Sequence, residues 1–265
     1  MNDALQPVQA LRLSEDARTA HDDRVIVEAP VALLYNGESF AVMMATPESL
    51  EDFALGFALS EGIVTTPAEF RLVDTVRHDD GVALHAAIPQ ARFDALQERR
   101  RGLEGRSGCG LCGVESLQAA MRPVPRVATP RPVAAARIRD ALAALSQSQP
   151  LNARSGGVHA AGFAYGAELL VREDVGRHNA LDKLIGAMAG QPACDPSQGF
   201  LVITSRASYE IVHKAATAGI GVVVAISAPT DLAIRTADVA GVTLVAFARG
   251  DSLNVYTHSD RLLPD

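Results

Sequence analysis

At 265 residues, with 48% hydrophobic and 21% charged residues, the chain can hold one large domain or two modest ones with real cores. No apolar run approaches the ~18–20 residues of a bilayer span, and the polar, acid-bearing N-terminus has no signal-peptide core. A net charge of −7 with 5% aromatic residues argues against duplex nucleic acid as a partner, and three cysteines, an odd number, argue for a reducing cytoplasm over a secreted disulfide framework.

Residues 1–23 read as a polar tail. Strands are expected at 24–28, 31–35 and 39–44, with Asn36-Gly37 as a two-residue hairpin turn because both positions tolerate positive φ. Residues 47–61 have helical spacing, with Leu50, Phe53, Ala54, Phe57 and Ala58 on one stripe. Thr46 is the expected N-cap, and Pro47 falls in the first turn. A second hairpin, 70–77 with 82–88, turns at Asp79-Asp80-Gly81, and a helix from Ala91 leads into Arg99-Arg100-Arg101. Residues 24–122 thus read as an α+β unit with an antiparallel sheet, ending in a cysteine loop and its helix.

That loop, Gly108-Cys109-Gly110-Leu111-Cys112-Gly113, holds two of the three cysteines. Residues 114–121 read as a short helix, which puts Cys112 near a helix N-terminus, where partial positive charge favours a thiolate. Between Arg92 and Arg139 stand ten arginines against four acids. Such a segment also favours thiolates, and it suits a phosphorylated ligand or an acidic partner surface. The loop is built to present sulfur. A structural zinc site would need four ligands, and the third cysteine, Cys194, lies alone in a Pro/Asp-flanked loop. The H-x-E…P-C-x-x-C signature of zinc deaminases is absent, and no thioredoxin-like βαβ pattern surrounds the pair. No resident metal is expected.

Residues 123–265 change pattern. Pro123, Pro125, Pro130 and Pro132 mark a stiff linker, followed by a helix at 134–145. Strands are expected at 162–165 and 168–172 and a helix at 177–188. Short apolar runs at 200–204, 221–226 and 242–247 alternate with helices near 207–218 and 231–240, the pattern of parallel βαβ units.

Ligands of such sheets bind beyond the carboxyl ends of the strands. Here those ends carry Thr204-Ser205-Arg206, residues 227–230, and Phe247-Ala248-Arg249-Gly250-Asp251. Ser205 or Ser208, and Thr230, are placed to cap helices or to face phosphate. Arg206 and Arg249 match a diphosphate or a guanine edge. No P-loop or GxGxxG is present. In the cluster from Asp174 to Lys183, the residues Arg177, His178 and Asp182 serve either a ligand or an ion-paired helix cap. His159, after Ser155-Gly156-Gly157-Val158, is a base, a ligand or a buried hydrogen-bonding residue.

The GCGLCGVESL segment resembles the FdhD family of formate dehydrogenase accessory sulfurtransferases. The likeness extends over most of the chain beyond the N-terminal tail, through residues 155–159 and 173–183, Thr204-Ser205-Arg206, Phe247-Ala248-Arg249-Gly250 and Asn254 to His258. The resemblance implies a persulfide carrier that takes sulfur from a cysteine desulfurase on Cys109, with Cys112 as a supporting or second thiol. It would deliver that sulfur to a molybdenum bis(molybdopterin guanine dinucleotide) cofactor, which formate dehydrogenase needs. Cofactor binding would map to Phe247, Ala248, Arg249, Gly250, Asp251 and Ser252, beside Ser205 and Arg206. A cytidine-deaminase-like, three-layer α/β C-terminal domain and a homodimer are further implications. The rival reading is a cofactor-binding insertion chaperone in which the CxxC only docks.

Overall fold

The polar stretch at the N-terminus is a hairpin, not a tail. β1 (Leu5–Leu13) and β2 (Arg18–Ile26) pair antiparallel from Leu5↔Ile26 to Leu13↔Arg18. The computed structural model describes residues 4–104 and 122–264, and for residues 100–104 the backbone only. Side chains on both faces of the hairpin are mostly exposed, so no apolar period marks it in the sequence. The strand expected to reach Glu28 stops at Ile26.

β3 (Ala29–Tyr35) and β4 (Glu38–Ala45) turn at Asn36 and Gly37, whose φ values of 50° and 91° are those the dipeptide favours. Helix α1 (Leu50–Ser60) then crosses to a second hairpin, β5 (Arg71–His78) with β6 (Gly81–Ala87). The sheet order is β4-β3-β6-β5, and β3 and β6 run parallel. This corrects the expected antiparallel sheet: the α1 crossover lets the second hairpin dock its inner strand beside the first in the same direction. Val31, Leu33, Tyr35, Val82, Leu84 and Ala86 all face inward with Phe53, Ala54 and Phe57 of α1, a period-two face meeting a helical stripe. Thr46 is not the N-cap. Ser49 holds that position at φ 52°, and Thr46 is buried one turn earlier. Helix α2 (Gln90–Glu104) follows the sheet.

From Arg122 the chain runs extended through its prolines to β7 (Val133–Ala134), then into α3 (Ala135–Gln147) and the short α4 (Pro150–Ser155). The second sheet comprises β8 (His159–Tyr165), β9 (Glu168–Asp174), β10 (Gly199–Ile203), β11 (Val222–Ala225), β12 (Thr243–Arg249) and β13 (Ser252–Val255). Its helices are α5 (Arg177–Ala189), α6 (Tyr209–Thr217) and α7 (Asp231–Ala240). The order is β13-β12-β11-β10-β8-β9. β10, β11 and β12 are parallel, as the strand–helix alternation predicts, while β8 and β13 flank them antiparallel. Leu201 and Ile203 face α5, α6 and α7, whereas Phe200 and Val202 face Ile138 and Leu145 of α3. Strands apolar on both faces therefore sit between two helical layers. A last strand, β14 (Leu262–Leu263), pairs with β7. Among the described residues no helix is long and apolar enough to cross a membrane.

The two sheets are joined where α1 crosses α5. A Cβ on Gly56 would stand 2.6 Å from the Gly186 nitrogen, and one on Gly186 would stand 2.7 Å from the Asp52 carbonyl carbon. Only glycine permits so close an approach of the two backbones.

Candidate functional site

The carboxyl ends of β10, β11 and β12 form one continuous rim. Ala207 N–H donates to Ala228 O (3.2 Å), Thr230 N–H to Ala207 O (3.0 Å), and Phe247 N–H to Ser227 O (3.1 Å). These bonds stitch together the three segments singled out in the sequence. His159 joins the rim from β8, because Thr204 N–H donates to Ala160 O (3.1 Å) and accepts from Ala160 N–H through its hydroxyl (2.9 Å). His159 also pairs in register with Asp174, the residue that leads into α5. The N-termini of α5, α6 and α7 therefore all open on this edge, with positive dipole ends that favour an anion.

The rim side chains are not equivalent. Arg206 and Arg249 are exposed, and the Arg249 Nε donates to Ile226 O (3.0 Å), which anchors its guanidinium at the rim. Ser205 is buried and its hydroxyl donates to Arg206 O (3.0 Å), so it neither caps a helix nor faces solvent. Ser208 stands at the N-cap of α6 without a capping hydrogen bond, while Thr230 caps α7 by accepting from Ala233 N–H (3.2 Å). Phe247 is 43% exposed at φ 50°, a left-handed conformation costly for a bulky residue, at a register shift between β12 and β13. Ala248 is buried behind it; Gly250 and Asp251 make the turn, and Ser252 opens β13. Among the described residues, Arg177 Nε and His178 Nε2 are shielded from solvent with no hydrogen-bond partner; Glu210 lies 3.9 Å from His178, too far for one. Burial, with Arg177 adding to it, holds both His159 and His178 below the ordinary imidazole value. Both imidazoles thus favour the neutral form.

Asp182 is not a rim residue. It is fully buried, accepting from Lys214 Nζ at 2.9 and 3.1 Å and from the Ser60 hydroxyl at 2.5 Å. Lys214 also donates to Glu61 Oε1 (2.8 Å) and to Ser60 Oγ (2.9 Å), and it lies over the Phe57 ring. Burial alone would lower Lys214, but Asp182 and Glu61 outweigh it and hold it above its ordinary value. A second buried pair, Lys183 with Asp174 at 2.6 Å, closes on the backbone of Thr46: Lys183 donates to Thr46 O (2.9 Å), and Thr46 N–H donates to Asp174 (3.0 Å). Sequence reasoning passed over Glu61, Ser60, Lys214 and Thr46 as functional residues. One signal was present: the chain has only two lysines, Lys183 and Lys214, and both are buried.

Cys109 and Cys112 lie outside the described residues, as does the helix expected after them. The residues flanking that segment are placed. Arg122 Nη1 donates to Glu61 Oε2 (2.6 Å), and Arg99 Nη1 donates to Glu61 O (3.3 Å). The Tyr209 hydroxyl, on the first residue of α6, donates to Arg122 O (3.2 Å), and the His213 ring meets Pro123 O (3.3 Å). Cys194 is buried, its sulfur 3.7 Å from Gln191 Oε1. A cleft of about 870 Å³ lies elsewhere, lined by Pro47, Ser49, Leu151 and Glu173 among others. Its chief charged groups are engaged: Glu173 accepts from Leu151 and Asn152 N–H (2.9 Å each), and Arg172 pairs with Asp52 (2.7 Å).

Fold and rim together define a mixed α/β protein whose strand ends carry exposed arginines, histidines held below the ordinary imidazole value and the N-termini of three helices. Residues 26–263 match the FdhD/NarQ family, and the chain belongs to it. It is 53% identical over 258 residues to the sulfur carrier protein FdhD of Xanthomonas campestris pv. campestris (strain B100), covering 96% of this chain and 92% of that one. It is 50% identical over 242 residues to the sulfur carrier protein FdhD of Bordetella petrii, covering 91% and 87%. The fold is shared with a crystal structure from Desulfotalea psychrophila, described as a proposed formate dehydrogenase accessory protein. There the TM-score is 0.74 at 23% identity, covering 98% of this chain and all of that one.

Proposed function

We propose that the chain is a sulfurtransferase that carries sulfane sulfur from a cysteine desulfurase to the molybdenum bis(molybdopterin guanine dinucleotide) cofactor required by formate dehydrogenase. The observation that carries this reading is the likeness, at 50% identity and above over more than nine tenths of the chain, to relatives named sulfur carrier proteins. In the loading step the Cys109 thiolate attacks the outer sulfur of the desulfurase persulfide. The S–S bond there breaks, the desulfurase leaves as a thiolate, and Cys109 becomes the persulfide. In the delivery step an electron pair of the acceptor forms the bond to the outer sulfur, the S–S bond to Cys109 Sγ breaks, and Cys109 leaves as the thiolate with that bond's electrons, so that the acceptor is the two-electron reductant and Cys112 the supporting thiol.

The rim supports the acceptor half of this reading. Arg206 and Arg249 offer planar donors to a diphosphate or a guanine edge, and the exposed Phe247 ring offers a face for a base. The helix N-termini favour the phosphates. Holding the acceptor there replaces a diffusional encounter by a positioned one. The test is intact-mass spectrometry after incubation with a cysteine desulfurase and cysteine. A gain of about 32 Da in the wild type that is lost in Cys109→Ala supports the carrier. No adduct on folded protein would overturn it in favour of a cofactor-binding chaperone.

A further inference from the structure

We propose that Glu210 is a specificity-determining residue which, with Arg177 and His178, reads the amino-lactam edge of a guanine or pterin ring at the rim. The inference deepens the proposed function and rests on it for the nature of the ligand, while the cluster itself is a matter of geometry. Glu210 lies in the first turn of α6, four residues after Arg206, and its side chain is half exposed. Arg177 and His178 are the first two residues of α5. The two helices meet here: His178 Nε2 stands 3.9 Å from Glu210 Oε2. Arg177 is close enough to act electrostatically on His159, His178 and Glu210 alike.

A carboxylate is out of place on an edge otherwise set for an anion, because it repels the phosphates that Arg206 and Arg249 attract. Among the described residues its one ion-pair contact is with His178, which itself favours the neutral form. Nor is Glu210 discharged. Burial by itself would raise its carboxyl, but the Ser208 hydroxyl, its own backbone N–H, His178 and Arg177 outweigh burial and hold it below the ordinary carboxylate value. Glutamate in a first helical turn also suits the positive end of the helix. That role bears on stability and carries no preference between rings.

Donors stand beside this acceptor. Arg177 Nε and His178 Nε2 are shielded from solvent and have no hydrogen-bond partner among the described residues. Arg177 Nε is a fixed donor, and His178 Nε2 donates in the neutral tautomer that carries its proton there. A ligand that satisfies the carboxylate and these donors together must present N–H groups and a carbonyl side by side. The amino-lactam edge does so: its amino group and ring N–H meet the two oxygens of a carboxylate, and its carbonyl accepts from arginine or histidine. Adenine does not, because its amino group sits beside a ring nitrogen whose lone pair would face the carboxylate. Guanine and pterin share the edge, and the cofactor of the proposed function carries both. A site built for such an edge rejects a ring that lacks it, since its polar groups are then left unpaired.

The experiment titrates the full chain with GDP, ADP and neopterin by calorimetry, as wild type and as Glu210→Gln. If the ring read is guanine, the wild type should bind GDP at least about ten-fold more tightly than ADP. Glu210→Gln should then lower the GDP affinity about ten-fold and leave ADP unchanged, so that the preference is lost. If the ring read is pterin, neopterin should bind and lose about ten-fold in Glu210→Gln while GDP keeps its affinity. Arg177→Ala should weaken the same ring, and it decides should Glu210→Gln fail to fold. A lower Tm with every affinity unchanged would show a helix-stabilising role only and overturn the proposal. GDP bound equally by wild type and variant, with no neopterin bound, would overturn it too and leave the rim as a nucleotide site. Binding of neither ring by the wild type would remove both the Glu210 site and the cofactor half of the proposed function. The sulfur adduct on Cys109 tests the carrier half separately.

Discussion

Replacing Gly186 by alanine sets local propensity against tertiary packing. Gly186 lies within α5, where alanine favours a helix over glycine by about 1 kcal/mol. On propensity alone the variant should be more stable. In the structure the new Cβ would stand 2.7 Å from the Asp52 carbonyl carbon and 2.9 Å from its Cα, and would overlap its carbonyl oxygen. Carbon atoms pack at about 3.5–4.0 Å, so α1 and α5 must part by about 1 Å. Both helices carry buried side chains into the two cores, and overpacking of this kind costs about 1–3 kcal/mol, occasionally more. The obstruction here is backbone, which cannot rotate away as a side chain would. We therefore expect a net loss of about 2 kcal/mol after the helical gain is subtracted. Urea unfolding followed by far-UV circular dichroism measures it, as a lowered midpoint with an unchanged slope. A neutral or more stable Gly186→Ala would refute the close crossing of α1 and α5.

Three further outcomes follow from the same structure. Asp182→Asn leaves Lys214 buried with Glu61 as its one carboxylate partner among the described residues, and should cost about 3–5 kcal/mol in urea unfolding; a loss below about 1 kcal/mol would show that no ion pair forms there. His159, His178 and His213 are each held below 6.5 by burial, helped by Arg177 for the first two and by Arg122 for the third. The unfolded chain then takes up these protons first, so stability should fall as the pH drops through about 6.5 towards the folded-state values. Changing all three to glutamine should flatten that slope in denaturant midpoints, and an equally steep slope would refute the assignment. Arg206→Ala and Arg249→Ala should each weaken GDP binding about ten-fold by calorimetry. Phe247→Gly should weaken it too while leaving the protein as stable or more so, since a left-handed non-glycine residue costs about 1–2 kcal/mol. Unchanged affinity in all three variants would take the nucleotide off the rim.

Much of the molecule was legible from short-range pattern. Asn36-Gly37 announces its turn, and the helix expected at 231–240 spans Asp231–Ala240 in the structure. The three apolar runs of the C-terminal half are the parallel strands, and their ends do make one rim, because period and turn chemistry act over a few residues. The CxxC stands out as a motif by residue type and spacing, while Cys109 and Cys112 lie outside the described residues. Other features were decided only when distant faces met. The β1–β2 hairpin has no apolar period, and the parallel pairing of β3 with β6 depends on where α1 carries the chain. Asp182 was left open between ligand binding and ion pairing. It is an ion-pair residue because Lys214, 32 positions away, and Ser60, 122 positions away, reach it across helix faces chosen by packing. Glu61 and Lys214 are separated by 153 positions. Sequence alone therefore determines which segments can bury a face and which loops carry chemistry. The crossing of α1 over α5 decides which charges are enclosed together, because burial is a property of three-dimensional neighbours and ion pairs form only where that burial leaves no water to take their place.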